Sequence, residues 1–245
     1  MKKLFFIIFN ILLVFTLKSQ VIQERLLQVN PANVAKFEAA VAKKTQIYNS
    51  NEDQPNWVTF QILTGPQAYN YIRMQIVDSI PKFDNIDQIG NDYWQKTVGP
   101  LHTSVGNRMW WVNNEMTYTP EVRNKFNHRR IIYYNVKDDG LGDFWRYRER
   151  AKRIWTEMNY ENRVGVMNCM SGCDGNWVQV RFHHEDFASE ARAWENLPKF
   201  AKKYNDIFGE GSLEEDQERL RASLMPDGRR IRHHKRMPSL STPWR

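Results

Sequence analysis

The chain has 245 residues, 41% of them hydrophobic and 13% aromatic, with nine Trp, ten Tyr and thirteen Phe. That is enough apolar surface for one large or two small domains, and it excludes collagen-like, coiled-coil and low-complexity disordered chains. The formal charge of +7, from 35 Lys and Arg against 28 Asp and Glu, is unevenly spread. Three cations and no acid lie in residues 1–19 and six cations and no acid in residues 229–245, which leaves −2 for residues 20–228. A nearly neutral body argues against nucleic-acid binding.

Lys2 and Lys3 precede an apolar run from Leu4 to Leu17, followed by Lys18-Ser19. The layout is that of a secretory signal peptide over residues 1–19, cleaved near Ser19, and the run is too short for a membrane-spanning helix. A periplasmic or secreted protein is therefore expected. Cys169 and Cys173 flank Met170-Ser171-Gly172 and are the only cysteines. In an oxidising compartment a pair so placed around a turn is expected to form a disulfide.

The elements follow in chain order. Val21 to Val29 reads as a strand, Pro31 opens a helix through Phe37, Val41 and Ile47, and Val58 to Ile62 alternates as a strand. Thr64-Gly65-Pro66 turns the chain into a strand from Tyr69 to Met74. Pro81 and Asp84 introduce a helix through Ile86, Ile89 and Trp94, and Arg108 to Tyr118 reads as a fourth strand. The pattern then repeats: strand Arg130 to Val136, helix Gly142 to Asn159, and a hairpin of Val164 to Cys169 with Trp177 to Phe182. Helices follow from Asp186, from Pro198 through Phe208, and from Leu213 to Leu224, before a last strand from Arg229 to Arg236.

Shifting the chain by 107 residues pairs Phe37 with Phe144, Ile47 with Ile154, Tyr48 with Trp155 and Gly65 with Gly172. Register kept across a strand, a helix and a hairpin is the mark of an internal repeat. The expected fold class is α+β: two tandem ferredoxin-like βαββαβ units at residues 20–120 and 121–237, then a tail at 238–245. This order and duplication resemble the dimeric α/β-barrel superfamily, whose sheets pack into a barrel. The resemblance implies kinship with quinone-forming monooxygenases, haem-binding enzymes and small-molecule isomerases.

No glycine-rich phosphate loop, GxSxG elbow or HExxH pair occurs, so no motif assigns a reaction. Among the histidines, His183-His184-Glu185-Asp186 is densest, but strand alternation sends neighbours to opposite faces, and a solvated strand end running into a helix cap is expected. His233-His234 lies among arginines, which oppose a bound cation, and no metal site is expected. Haem enzymes of the resembling superfamily draw an axial histidine from a flanking helix. The helices here contain none, and His102 lies just beyond one, so no cofactor is expected and haem is disfavoured.

The candidate pocket residues are His102, Trp110, Trp155 and Trp177, an aromatic lining for a small apolar organic ligand. Trp110 and Trp111 must face opposite ways on a strand. Arg229, Arg230, Arg232, Lys235 and Arg236 form a basic patch suited to an anionic surface. Two functions follow: an exported barrel that binds or transforms a small molecule, or an interaction module attached through its basic segment. A homo-oligomer is compatible with both.

Overall fold

A computed structural model describes residues 20–244; the expected signal peptide, residues 1–19, lies outside the described residues. The first half comprises β1 (Val21–Gln28), α1 (Val34–Tyr48), β2 (Asn56–Ile62), β3 (Tyr71–Val77), α2 (Gln88–Thr97) and β4 (Thr103–Val112). The second comprises β5 (His128–Val136), α3 (Leu141–Glu157), β6 (Val164–Ser171), β7 (Asn176–His184), α4 (Phe187–Trp194), α5 (Leu197–Phe208), α6 (Ser212–Ala222) and β8 (Leu224–Arg236).

All eight strands pair antiparallel and close into a barrel in the order β1-β3-β2-β8-β5-β7-β6-β4. Each half contributes four adjacent strands in the order fourth, first, third, second. The seams between halves are β2 on β8, with Phe60 opposite Arg236, and β4 on β6, with Trp110 opposite Cys169.

Strand alternation divides the side chains between two environments. On β5, Ile132, Tyr134 and Val136 pack on Phe144, Ala151 and Trp155 of α3, while Arg129 and Tyr133 reach the barrel interior beside Met74. The interior also holds Ile22, Val58, Phe60, Ile72, Trp110 and Met167. In the first half Leu27 and Tyr71 pack on Phe37 and Val41 of α1. Burial of these faces is the main stabilising term, at roughly 25 cal/mol per Å².

Several boundaries differ from the sequence expectation. The fourth strand ends at Val112 because Asn113 turns the chain, its Oδ1 accepting from Met116 N and its carbonyl from Thr117 N; Tyr118 then makes only an isolated bridge to Val164. The stretch from Pro81 is a 3-10 turn, and α2 begins after Asp87, whose side chain accepts from Gly90 N. The last strand starts at Leu224 and is paired on both sides, so it is not an edge.

The segment after residue 237 is not a free tail. Met237 N donates to the Thr59 carbonyl and Thr242 N to that of Trp57, while Leu240 and Thr242 are fully buried. Nor is the basic segment one surface patch. Arg236 is buried and donates to the Thr242 carbonyl, Arg230 stacks on Trp177, and Arg229 lines a cleft, because alternation along β8 sends successive cations to different faces. Cys169 and Cys173 are joined by a disulfide, as their spacing predicts.

Candidate functional site

Two clefts open between the sheet and its helices, one in each half. The first, about 390 Å³, lies between β1–β3 and the helices α1 and α2. Period-two placement brings Arg25, Trp57 and Arg73 to its floor, α1 supplies Lys44, α2 supplies Trp94, and His102 closes one end. Arg73 is 3% exposed and its guanidinium lies between two indoles, 5.1 Å from the Trp57 ring and 4.7 Å from that of Trp94. Nη1 donates to Thr59 Oγ1 at 2.7 Å and to the Leu240 carbonyl at 3.1 Å. Nη2 is buried and donates to nothing, and neither does Arg25 Nε.

Cations outnumber acids in this cleft. Lys44 Nζ donates to Asn49 Oδ1 at 2.8 Å, and its nearest carboxylate oxygen, of Asp87, is 3.9 Å away. Burial, reinforced by Arg73 and Arg25 and only partly opposed by Asp87, pulls Lys44 down to about 8. Burial and Arg25 bring Arg73 to about 9. His102 is lowered by burial and by the same two arginines, so it is neutral at neutral pH. Its Nδ1 lies 3.0 Å from the Val98 carbonyl, an oxygen that only accepts, so Nδ1 carries the proton and Nε2 is the basic nitrogen.

The second cleft is larger, about 580 Å³, between the sheet of the second half and helices α3–α6. Tyr134, Trp155, Phe182, Trp194 and Phe200 give it aromatic walls, with Arg130, Arg148, Arg221 and Arg229 among them. His184 also lines it; burial holds this imidazole down to about 4, and its Nδ1 makes no hydrogen bond. Beside this cleft, Glu190 of α4 joins His128 and His233. Oε2 is 3.0 Å from His128 Nε2 and Oε1 3.1 Å from His233 Nε2. Burial alone would raise Glu190, but the two hydrogen bonds hold it down to about 2.

The barrel interior carries a third polar group. Arg181 Nη2 is 3.5 Å from Glu24 Oε2, and Arg129 Nη2 is 3.3 Å from His234 Nδ1. All four are buried. Because arginine only donates, His234 Nδ1 accepts, and burial keeps that imidazole neutral.

The structure separates the four expected pocket residues. His102 is in the first cleft and Trp155 in the second. Trp110 is fully buried inside the barrel, whereas Trp111, its neighbour, is 46% exposed. Trp177 caps the barrel end under Arg230. His183 and His184 are both inside the fold, so the solvated strand end expected for them is corrected; Glu185 is exposed as expected, and Asp186 caps α4 through Ser189 N. Sequence reasoning missed Arg73, Lys44, and the meeting of His128, Glu190 and His233.

No family model and no curated protein matches the sequence. Solved structures do match in shape. A candidate monooxygenase from Lactobacillus acidophilus NCFM is 12% identical with a TM-score of 0.57, covering 89% of this chain and 94% of its own. An anthrone oxidase-like protein is 9% identical with a TM-score of 0.55, covering 90% and 92%. A chlorite dismutase variant from Candidatus Nitrospira defluvii is 7% identical with a TM-score of 0.52, covering 90% and 93%. At these identities the likeness establishes the fold, which is that of dimeric α/β-barrel proteins.

The comparison corrects the expectation that no cofactor is bound and haem is disfavoured. Chlorite dismutases are haem-binding and share this barrel. A missing helix histidine is not a sound exclusion here, because His184, at the end of a strand, brings an imidazole into the second cleft. The donor set there fits such a group: a neutral imidazole with an unpartnered Nδ1, aromatic faces, and guanidinium groups for acidic substituents.

Proposed function

We propose that the protein binds a small aromatic organic acid in its first cleft and removes a proton from it. The observation that carries this reading is Arg73, a buried cation held between Trp57 and Trp94 with Nη2 unpartnered. A buried donor without an acceptor is costly, and an incoming anion relieves that cost. The two indoles offer faces for a flat ring. A phenolic or enolic proton would pass to His102 Nε2, and Arg73, Arg25 and Lys44 would stabilise the anion formed. The names of the neighbours, a candidate monooxygenase and an anthrone oxidase-like protein, fit a barrel that handles such molecules.

In the second cleft, His184 would hold the iron of a haem and the surrounding arginines its acidic groups; when bound, haem supplies iron-centred redox chemistry. The origin we infer for the chain is a duplication. Its support is the matching strand order of the halves, the fully buried Phe37 and Phe144 at the fourth positions of α1 and α3, and the left-handed Gly65 and Gly172 in matching hairpins. An exported setting is supported by the disulfide.

The test uses 2-hydroxy-1-naphthoate and its neutral methyl ester, followed by tryptophan fluorescence and calorimetry. The acid should bind at least about tenfold more tightly than the ester, an advantage reduced in Arg73→Gln. The pH at which the bound naphthol gains phenolate absorbance should lie below that of the free naphthol, and should move up in His102→Ala. Equal affinity for acid and ester, unchanged by Arg73→Gln, would overturn the reading.

A further inference from the structure

We propose that His128, Glu190 and His233 form a binding centre for a divalent first-row metal ion, for which zinc is the probe, beside the second cleft. The three donors come from three elements: His128 opens β5, His233 lies on the neighbouring strand β8, and Glu190 sits in the first turn of α4. In the β5–β8 register His233 faces Arg130, two residues from His128. Such diagonal neighbours share a face, and the two rings stack at 5.7 Å with 20° between their planes.

One atom from each residue lies within 4.8 Å of the other two, and each carboxylate oxygen already touches one imidazole. Ligands about 2.0–2.1 Å from a tetrahedral zinc stand about 3.3 Å apart, so the donors need only a small adjustment. Two imidazoles and one carboxylate are a ligand set for zinc, and three protein donors leave a coordination position open.

The surroundings orient the ligands. Thr64 Oγ1 accepts from the backbone N–H of His233 and lies 3.2 Å from its Nδ1. In this structure Nε2–H donates to Glu190; a bound ion would displace that proton, and a proton on Nδ1, accepted by Thr64 Oγ1, would then hold the ring with its Nε2 lone pair toward the ion. The helix that carries Glu190 is fixed by a reciprocal cap between Asp186 and Ser189. Phe187 covers the imidazoles, its ring 4.3 Å from that of His128 and 5.3 Å from that of His233. Arg130, whose Nε is 3.7 Å from Glu190 Oε1, is among the described residues the one Lys or Arg in ion-pair contact with the carboxylate, and it weakens the site without occupying a ligand position. Arg130 and His184 both line the second cleft, and the His184 ring is 6.4 Å from that of His128, so the centre lies beside that cleft.

A hydrogen-bonded cluster without a metal would also be destabilised by loss of Glu190, so stability alone does not discriminate. The full chain, free of any affinity tag and stripped with a chelator, is titrated with Zn²⁺ by calorimetry and with Co²⁺ by visible absorption. One saturable equivalent is expected, with a cobalt spectrum of low coordination number. His233→Phe, which preserves the ring stack, and Glu190→Gln should abolish it, and His102→Ala should not. Arg130→Met should tighten binding. Thr64→Val, which leaves every ligand in place, should weaken it about tenfold and serves should the ligand variants fail to fold. No saturable equivalent in the wild type, or binding undiminished in Glu190→Gln, His233→Phe and Thr64→Val, overturns the proposal.

Discussion

Arg73 Nη1 donates to the main-chain carbonyl of Leu240 at 3.1 Å, so the most deeply placed cation of the first cleft is held by the far end of the chain. Thr59 ties the two together, since Oγ1 accepts from Arg73 and donates to the same carbonyl at 2.9 Å. Ser241 and Thr242 complete the clasp by accepting from the backbone N–H groups of Thr59 and Trp57. Removing residues 238–245 should therefore release Arg73 and lower stability together. Thr59→Val is the finer probe: it preserves shape, strands a buried guanidinium donor, and should cost about 1–3 kcal/mol in urea unfolding. A variant as stable as the wild type would refute the clasp.

The pH dependence of the same cleft follows from Lys44. Its value in the fold, about 8, lies below the ordinary 10.5, so between these two the unfolded chain binds more protons than the folded one. Stability should rise with pH across that window, and the rise should shrink in Lys44→Met. Affinity for an anionic aromatic should move the opposite way, falling above pH 8 as Lys44 loses its charge. Arg73, brought to about 9, acts in the same sense in the upper part of this window, so in stability and affinity measured over pH 7–10.5 Lys44 is identified by the loss of both slopes between pH 8 and 9 in Lys44→Met.

Periodicity made the strands and α1 legible, because Phe37, Val41 and the alternating Val58 to Ile62 each face one packing surface. The turn residues Thr64-Gly65-Pro66 and Ser171-Gly172 also marked the two hairpins, where both glycines adopt positive φ. The clefts were not legible. Arg25, Lys44 and Arg73 are scattered cations in the chain, and only closure of the barrel removes their water and counter-ions together. Likewise 62 residues separate His128 from Glu190 and 43 separate Glu190 from His233. Local reading of His233-His234 saw the neighbouring arginines but not the carboxylate delivered by α4. Trp110 was misplaced for a related reason: alternation gave its side of the strand, but not that this side was the closed interior.

The disulfide closes a very short loop at the end of β6, where Cys169 and Cys173 pack with the barrel-end cluster that includes Trp177. Chain entropy assigns such a loop about 2 kcal/mol. Cys169→Ser with Cys173→Ser should thus lower stability by no more than about that amount and leave the barrel folded. Thiol counting on the unreduced, denatured protein should find no free thiol, and two free thiols would remove the linkage.

The last prediction concerns the charges inside the barrel. Arg129 and Arg181 are both completely enclosed, and burial lowers both guanidinium groups, Arg129 well below its ordinary value. Glu24, 5% exposed, is the carboxylate paired with Arg181 and, together with the phenol of Tyr133, acts on both arginines. Two buried cations thus share one carboxylate, and the remaining donors depend on uncharged acceptors such as Gln179 Oε1, His234 Nδ1 and the sulfur of Met74. Breaking a buried pair by removing one partner costs about 3–5 kcal/mol, because the surviving charge loses its compensation without regaining water. Glu24→Gln keeps the size of the side chain and should show this loss in urea unfolding. Glu24→Gln combined with Arg181→Met, which removes both charges, should recover much of it. If the single variant is within about 0.5 kcal/mol of the wild type, the change expected of an ordinary surface substitution, the interior arginines are neutralised by something other than Glu24.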